Sequence, residues 1–208
     1  QYRQTIDATP AKLATIEAGL YGGLKPLADS EWTYAKARHL LVRAGFGGTN
    51  EEVAKLHALG LYGAVRHLVN YKSQPASQVE FAANPKERPE IYESTLTGEE
   101  QRRIRLARAA ADVQQVRDMR AWWLRRMIDS QRPLEEKLTL FWHGHFACSF
   151  LAGEDSYAMW QQNELFRRRA SGNFGALLNG ITHDPGMIRY LDNHENFKGS
   201  GNENLGRE

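Results

Sequence analysis

A single cysteine, Cys148, in 208 residues excludes an internal disulfide framework and a cysteine-built zinc cage. No apolar run approaches the ~18 residues that a membrane-spanning helix needs. No stretch of β-branched residues alternates with polar ones, so nothing competes with helix. Short internal repeats and heptad arrays are also missing, which removes solenoid and coiled-coil architectures. Net charge is only +2, too little to make a long polyanion the obvious partner.

What is present is an ordinary globular composition. Hydrophobic residues make up 41% and charged residues 25%, and mean hydropathy is −0.59. A chain this long can bury a core without covalent staples. The small net charge hides an uneven distribution. Of the 27 basic residues 19 are arginine, and nine of those fall between Arg102 and Arg132 against Asp112, Asp118 and Asp129. Arg167, Arg168 and Arg169 follow. Arginine forks suit phosphate or carboxylate, but a solvated, partly ion-paired helix face explains the same pattern. Trp122 and Trp123 read as core.

Helix signals recur along the chain. Residues 1–29 read as a leader with a short helix, opened by Thr9-Pro10 and closed by Gly22-Gly23. A helix is expected over 30–44. Thr49 and Glu52 form a capping box for the next one, which Gly60 closes. Another helix is expected over 62–70. Pro75, Pro85 and Pro89 mark 73–96 as a loop. Thr97 and Glu100 open the longest helix, to about 130, with Leu106, Ala109, Val113, Val116, Met119, Trp123 and Met127 as its apolar stripe. Pro133 stands at N1 of a helix to about 145. Asp155 or Ser156, then Asn173, then Asp184-Pro185 cap three more. The expected fold is all-α, a multi-helix globular domain or part of a larger one.

Three clusters carry candidate chemistry. His143 and His145 flank Gly144 within an aromatic run. On an extended segment both imidazoles would share a face; on a helix they would point about 200° apart. Gly144 permits either, so metal ligation, acid–base work and packed core histidines all stay open. The second cluster holds Asp192, Asn193, His194, Glu195 and Asn196, continuing to Asn202, Glu203 and Asn204. Its oxygen donors suit calcium or another divalent ion. The EF-hand pattern fails at His194 and at Phe197, where the turn needs glycine. An Asx-rich loop bonding its own backbone is the competing account. The third is Cys148-Ser149. Ser149 near His145 has the types of a nucleophile and base, without an orienting acid, and Cys148 reads as buried and inert.

Several of these segments together resemble one family. They are Leu40-Leu41-Val42-Arg43-Ala44-Gly45-Phe46-Gly47 with Thr49, Glu52 and Leu59-Gly60; Pro133 to Phe146 with Ser149; and Asp184-Pro185-Gly186-Met187, Leu191-Asp192-Asn193, Asn196 and Asn202 to Glu208. In this order they resemble the bacterial family known as domain of unknown function 1800, over roughly residues 30–208. Gly144 departs from the family's frequent Asn, and Leu205-Gly206 from its usual Phe-Ala. Family members are commonly twice this long, so the resemblance implies the N-terminal half of a larger domain. It also implies export to the periplasm or beyond. The initial Gln1 fits a processed exported chain and a trimmed one equally. Family members are commonly encoded beside exported sulfatase- and alkaline-phosphatase-type proteins, which implies such a partner.

Carried over by position, the resemblance points to His143, His145, Ser149, Asp192, Asn193, Asn196, Asn202, Glu203, Asn204, Arg207 and Glu208. Among these, His143, His145, Asp192, Glu203 and Arg207 are the candidates for catalysis. Asp192, Asn193, Asn196, Asn202 and Glu203 are the candidates for a metal. Arg207 is expected to pair with a carboxylate such as Asp192, or with a substrate anion. Three functions are therefore carried forward. The first is an accessory or interaction module working with the sulfatase/phosphatase-like partner. The second is a metal-dependent hydrolase with a His/Asp/Asn/Glu site, and the third is arginine-mediated binding of an anionic polymer. Nucleic acid ranks last, and whether the chain is an enzyme stays open.

Overall fold

A computed structural model describes residues 25–81, 96–153 and 155–207, so the expected leader helix lies outside the described residues. These residues form helices and no strands; one isolated bridge joins Phe197 and Ser200. Two compact units divide the chain, Gln1–Gln74 and Pro75–Glu208.

The first unit contains α1 (Tyr34–Ala44), α2 (Asn50–Ala58) and α3 (Gly60–Val69). α1 starts later than expected, because Thr33 caps it by accepting from the Lys36 amide, and Ser30 lies instead in a 3₁₀ turn, Asp29–Glu31. The Thr49–Glu52 capping box forms as read from the sequence, with the Thr49 amide 2.6 Å from Glu52 Oε2. Gly60 has a double role. Its φ of +70° ends α2 in a conformation that side chains disfavour, and the same residue begins α3. α3 therefore opens earlier than the expected 62. Ala37, Leu41, Val53, Leu56, Ala64 and Leu68 form the core of this unit.

The second unit contains α4 (Gly98–Asp129), α5 (Pro133–His145), the four-residue α6 (Phe150–Gly153), α7 (Ser156–Arg169), α8 (Phe174–Thr182), α9 (Pro185–Tyr190) and α10 (Asn204–Arg207). Thr97 and Glu100 cap α4 reciprocally. Asp155, Asn173 and Asp184 cap α7, α8 and α9 by accepting backbone amides. One core cluster joins Phe166, Leu177, Ile181, Met187 and Leu191, with Trp142, Phe146, Cys148 and Leu165 against it. Another centres on Met119, Trp122 and Trp123 of α4, packed with Met159 and Trp160 of α7. Gly180 lets α8 approach α7 closely, since a Cβ there would lie 2.9 Å from Leu165 Cδ1. Midway along α4, buried Asp112 accepts from both the amide and the hydroxyl of Ser156, at 3.2 and 2.6 Å. That bond ties the start of α7 to α4.

The stripe read along α4 needs correction. Val116, Met119 and Trp123 are buried, but Leu106 is 62% exposed and Val113 39%. At ~100° per residue the two lie roughly 110–130° from the centre of the buried face of Asp112, Val116, Met119, Trp122 and Trp123. They belong to a different face of the helix. No described helix is long and apolar enough to cross a membrane.

Candidate functional site

The polar residues singled out above fall into separate settings. α5 remains helical through Gly144 to His145, so the two imidazoles point about 200° apart and share no face. His143 is half-buried, stacked on Trp123 at 5.4 Å between centroids and tilted against Phe166 at 6.3 Å. His145 is exposed and lies against Phe141, Trp142 and Phe146 at 6.0, 5.7 and 4.7 Å. Ser149 is not aimed at either ring; its hydroxyl accepts from the Leu151 amide at 3.2 Å. Cys148 is half-buried, and burial pushes its thiol up to about 11, which keeps it protonated and weakly nucleophilic.

Most amide side chains of the oxygen-rich loop bond within it or to the residue before it. Asp192 adopts a left-handed conformation with φ 55° after α9 and is exposed. Asn196 donates to Asn193 Oδ1 and accepts from the Asn202 amide. Asn202 donates to the Leu191 carbonyl at 3.2 Å and accepts from the Asn204 amide at 2.9 Å. Arg207 donates to Asn204 Oδ1 at 2.8 Å and pairs with Glu203 at 3.5 Å, not with Asp192. These are the bonds of an Asx-rich loop. Among the described residues no hydrogen bond or ring contact joins either histidine to this loop. Nor does any group of three His, Cys, Asp or Glu side chains stand where it could hold a metal ion. Glu208 lies outside the described residues.

A different polar centre is buried between α4, α5 and α7. Glu136, fully buried, accepts from Arg126 Nε at 2.9 Å and Arg167 Nε at 3.0 Å through Oε1. Its Oε2 accepts from Trp123 Nε1 at 3.0 Å and Arg167 Nη2 at 3.1 Å. Arg167 also reaches Asn163 Oδ1 at 2.7 Å and Glu164. Both guanidiniums lie over the Trp122 ring, at 5.3 and 5.0 Å. Burial pushes the Glu136 carboxyl up, but Arg167 and Arg126 outweigh it and hold the group below its ordinary range. With four donors on two oxygens, the carboxylate is saturated. The arrangement clamps three helices and offers no free base. Sequence reading missed it. The available signal was an acid three and seven positions before Thr139 and His143, on the inward face of α5.

Asp184 is the other notable acid. It caps Met187 and accepts from Gln162 Nε2, both at 2.9 Å. Burial nonetheless raises its pKa. A raised folded-state pKa contributes stability below the unfolded value, and that contribution is lost as pH rises through the folded one. Asp184→Asn retains the acceptor and removes the ionisation. The melting temperature of the variant relative to the parent should therefore improve between about pH 4 and neutrality. A constant difference across parallel melts in that range would refute this.

The surface around His145 is aromatic. Phe141 is 56% exposed and Phe174 51%. The half-buried Trp142 lies between them, 4.9 Å from the Phe141 ring and 5.9 Å from Phe174, with its indole N–H on the Ala170 carbonyl. Phe146 stacks near Phe174 at 6.4 Å. Phe141, Trp142, His145, Phe146 and Phe174 thus form one continuous aromatic surface on α5, the turn after it and α8.

A family model described as protein of unknown function (DUF1800) matches residues 39–208. No curated protein and no solved structure matches the chain.

Proposed function

The chain belongs to the DUF1800 family, a family of unknown function, and from that premise we propose that this domain is an exported interaction module for a sulfatase- or alkaline-phosphatase-type partner. The aromatic surface of Phe141, Trp142, His145, Phe146 and Phe174 carries this reading. Exposed aromatic rings held in fixed contact are the side chains that dominate protein interfaces. Against the hydrolase reading, no hydrogen bond among the described residues joins the histidines to the oxygen-rich loop, and the amide side chains of Asn196 and Asn202 bond within and beside that loop.

The test is complex formation between the full chain and an exported sulfatase- or alkaline-phosphatase-type protein from the same organism. Phe141→Ala with Phe174→Ala should weaken that complex about 10- to 100-fold. Both rings are half-exposed, so far-UV circular dichroism should not change. Unchanged affinity in the double variant, or no complex with the unaltered chain, would overturn the proposal. A near-stoichiometric divalent ion whose removal lowers the melting temperature would favour the metal-dependent hydrolase instead.

A further inference from the structure

α4 carries a second apolar face that nothing described above uses. Leu106, Val113, Leu124 and Ile128 are 62%, 39%, 59% and 77% exposed. With Ala110 they fall within about 60° of one another around the helix. Their spacing follows the three-and-four rhythm of a helix-packing seam, and they extend over roughly 33 Å of axis. A solvent-facing helix surface is ordinarily polar, and this one carries four exposed large apolar side chains.

From Leu106 to Ile128 the charge beside the seam is mainly basic, and exposed Glu99 stands on the same face about two turns before Leu106. Counted around the helix, Arg102 and Arg120 lie about 20–80° to one side of the apolar residues, Arg103 and Arg125 about 20–120° to the other, and Arg117 within them. All five are exposed, and among the described residues none of their side chains makes an ion pair or hydrogen bond. Asp118 and Asp129 lie farther round still, and Asp118 accepts from Gln114. By contrast Arg126, on the inner face, pairs with Glu136 through its Nε.

We propose that this outer face of α4 docks an acidic amphipathic helix of a separate protein, its apolar stripe on Leu106, Val113, Leu124 and Ile128 and its carboxylates on the bordering arginines. Charge complementarity selects that occupant. A second copy of this chain would set arginine borders against arginine borders, and like charges across an interface oppose binding. The inference rests on the interaction-module reading but uses a different face, so the two can fail separately.

The probe is a labelled 21-residue peptide, helical by design, with leucine along one stripe and glutamate beside it. A sister peptide carries lysine in place of glutamate. Fluorescence anisotropy with the full chain should show binding of the glutamate peptide only, weakened at least severalfold from low to high salt. Leu124→Asp with Ile128→Asp should weaken it by about tenfold or more, and so should Arg117→Glu with Arg120→Glu. All four positions are exposed, so the fold survives both changes. The Phe141→Ala, Phe174→Ala variant should bind the peptide normally, even where it has lost the sulfatase- or phosphatase-type partner. Equal binding of the lysine peptide, no binding of the glutamate peptide, or indifference to both seam variants would overturn the proposal. Self-association of the chain that Leu124→Asp with Ile128→Asp abolishes would do the same, by giving the face to a second copy.

Discussion

Glu136→Ala will cost the second unit about 3–5 kcal/mol, the range for removing one partner of a buried ion pair. The loss has little to do with side-chain volume. Arg126, Arg167 and the Trp123 indole N–H all donate to this carboxylate, and alanine leaves two guanidiniums in a protein interior with one fewer counter-charge. Glu164 and Asn163 remain for Arg167, but among the described residues no other acid pairs with Arg126. The thermal midpoint should fall by roughly 10 °C or more. Acid supplies an independent check. The folded-state pKa of Glu136 is depressed, so its contribution is present above the unfolded value and lost as pH falls through the folded one. Denaturant titrations below about pH 4 should therefore narrow the gap between the parent and Glu136→Ala. Replacing Glu136, Arg126 and Arg167 together by Leu, Met and Met should cost less than the single change, because no buried guanidinium is stranded and Glu164, which loses Arg167, is partly exposed. A triple variant as unstable as the single one would show that the clamp itself, and not the stranded charge, holds these helices.

Phe166→Ala comes next, at about 3–5 kcal/mol from lost transfer energy and the cavity left behind. Phe166 is completely buried in α7, faces the Phe146 ring at 6.1 Å and His143 at 6.3 Å, and packs with Leu177, Ile181 and Met187. It is the floor beneath the aromatic surface. The large-to-small change should therefore lower stability and also loosen the presentation of Phe146 and, through it, Phe174. Phe141→Ala, at a half-exposed ring, should stay within about 0.5 kcal/mol of the parent. Urea unfolding of the two variants side by side is decisive: similar midpoints would mean that Phe166 is not the keystone its burial indicates.

The helices were legible in the sequence largely because their caps are local. Thr49, Thr97, Asp155, Asn173 and Asp184 each bond a backbone amide two or three residues on, and Pro133 and Pro185 occupy first-turn positions that proline tolerates. The all-α class follows from those signals. The Glu136 clamp was not legible, since Arg167 lies 31 residues away and two identical-looking glutamates stand side by side. The direction of Leu106 and Val113 was misread because three-and-four spacing connects adjacent faces of a long helix as easily as it follows one. For the histidines, Gly144 removed the local constraint that would have chosen between helix and extended chain. In the Asp192–Asn204 loop, composition alone does not separate a cation site from Asx turns, because both use the same oxygens.

The Asp112–Ser156 bond has a consequence in time. It joins residues 44 positions apart, and the Trp122 indole reaches the Val79 carbonyl across 43. In the first unit the core residues all fall between Ala37 and Leu68. On a ribosome adding about 5–20 residues each second, those three short helices have all their partners early. α4 instead emerges with neither Ser156 nor Arg167 yet made: Trp122 already has Val79, but Asp112 waits several seconds for its partner on α7, and Trp123 waits for its partner on α5. That interval, longer than helix formation by orders of magnitude, is when the second unit is most open to capture by a chaperone or by another unfinished chain.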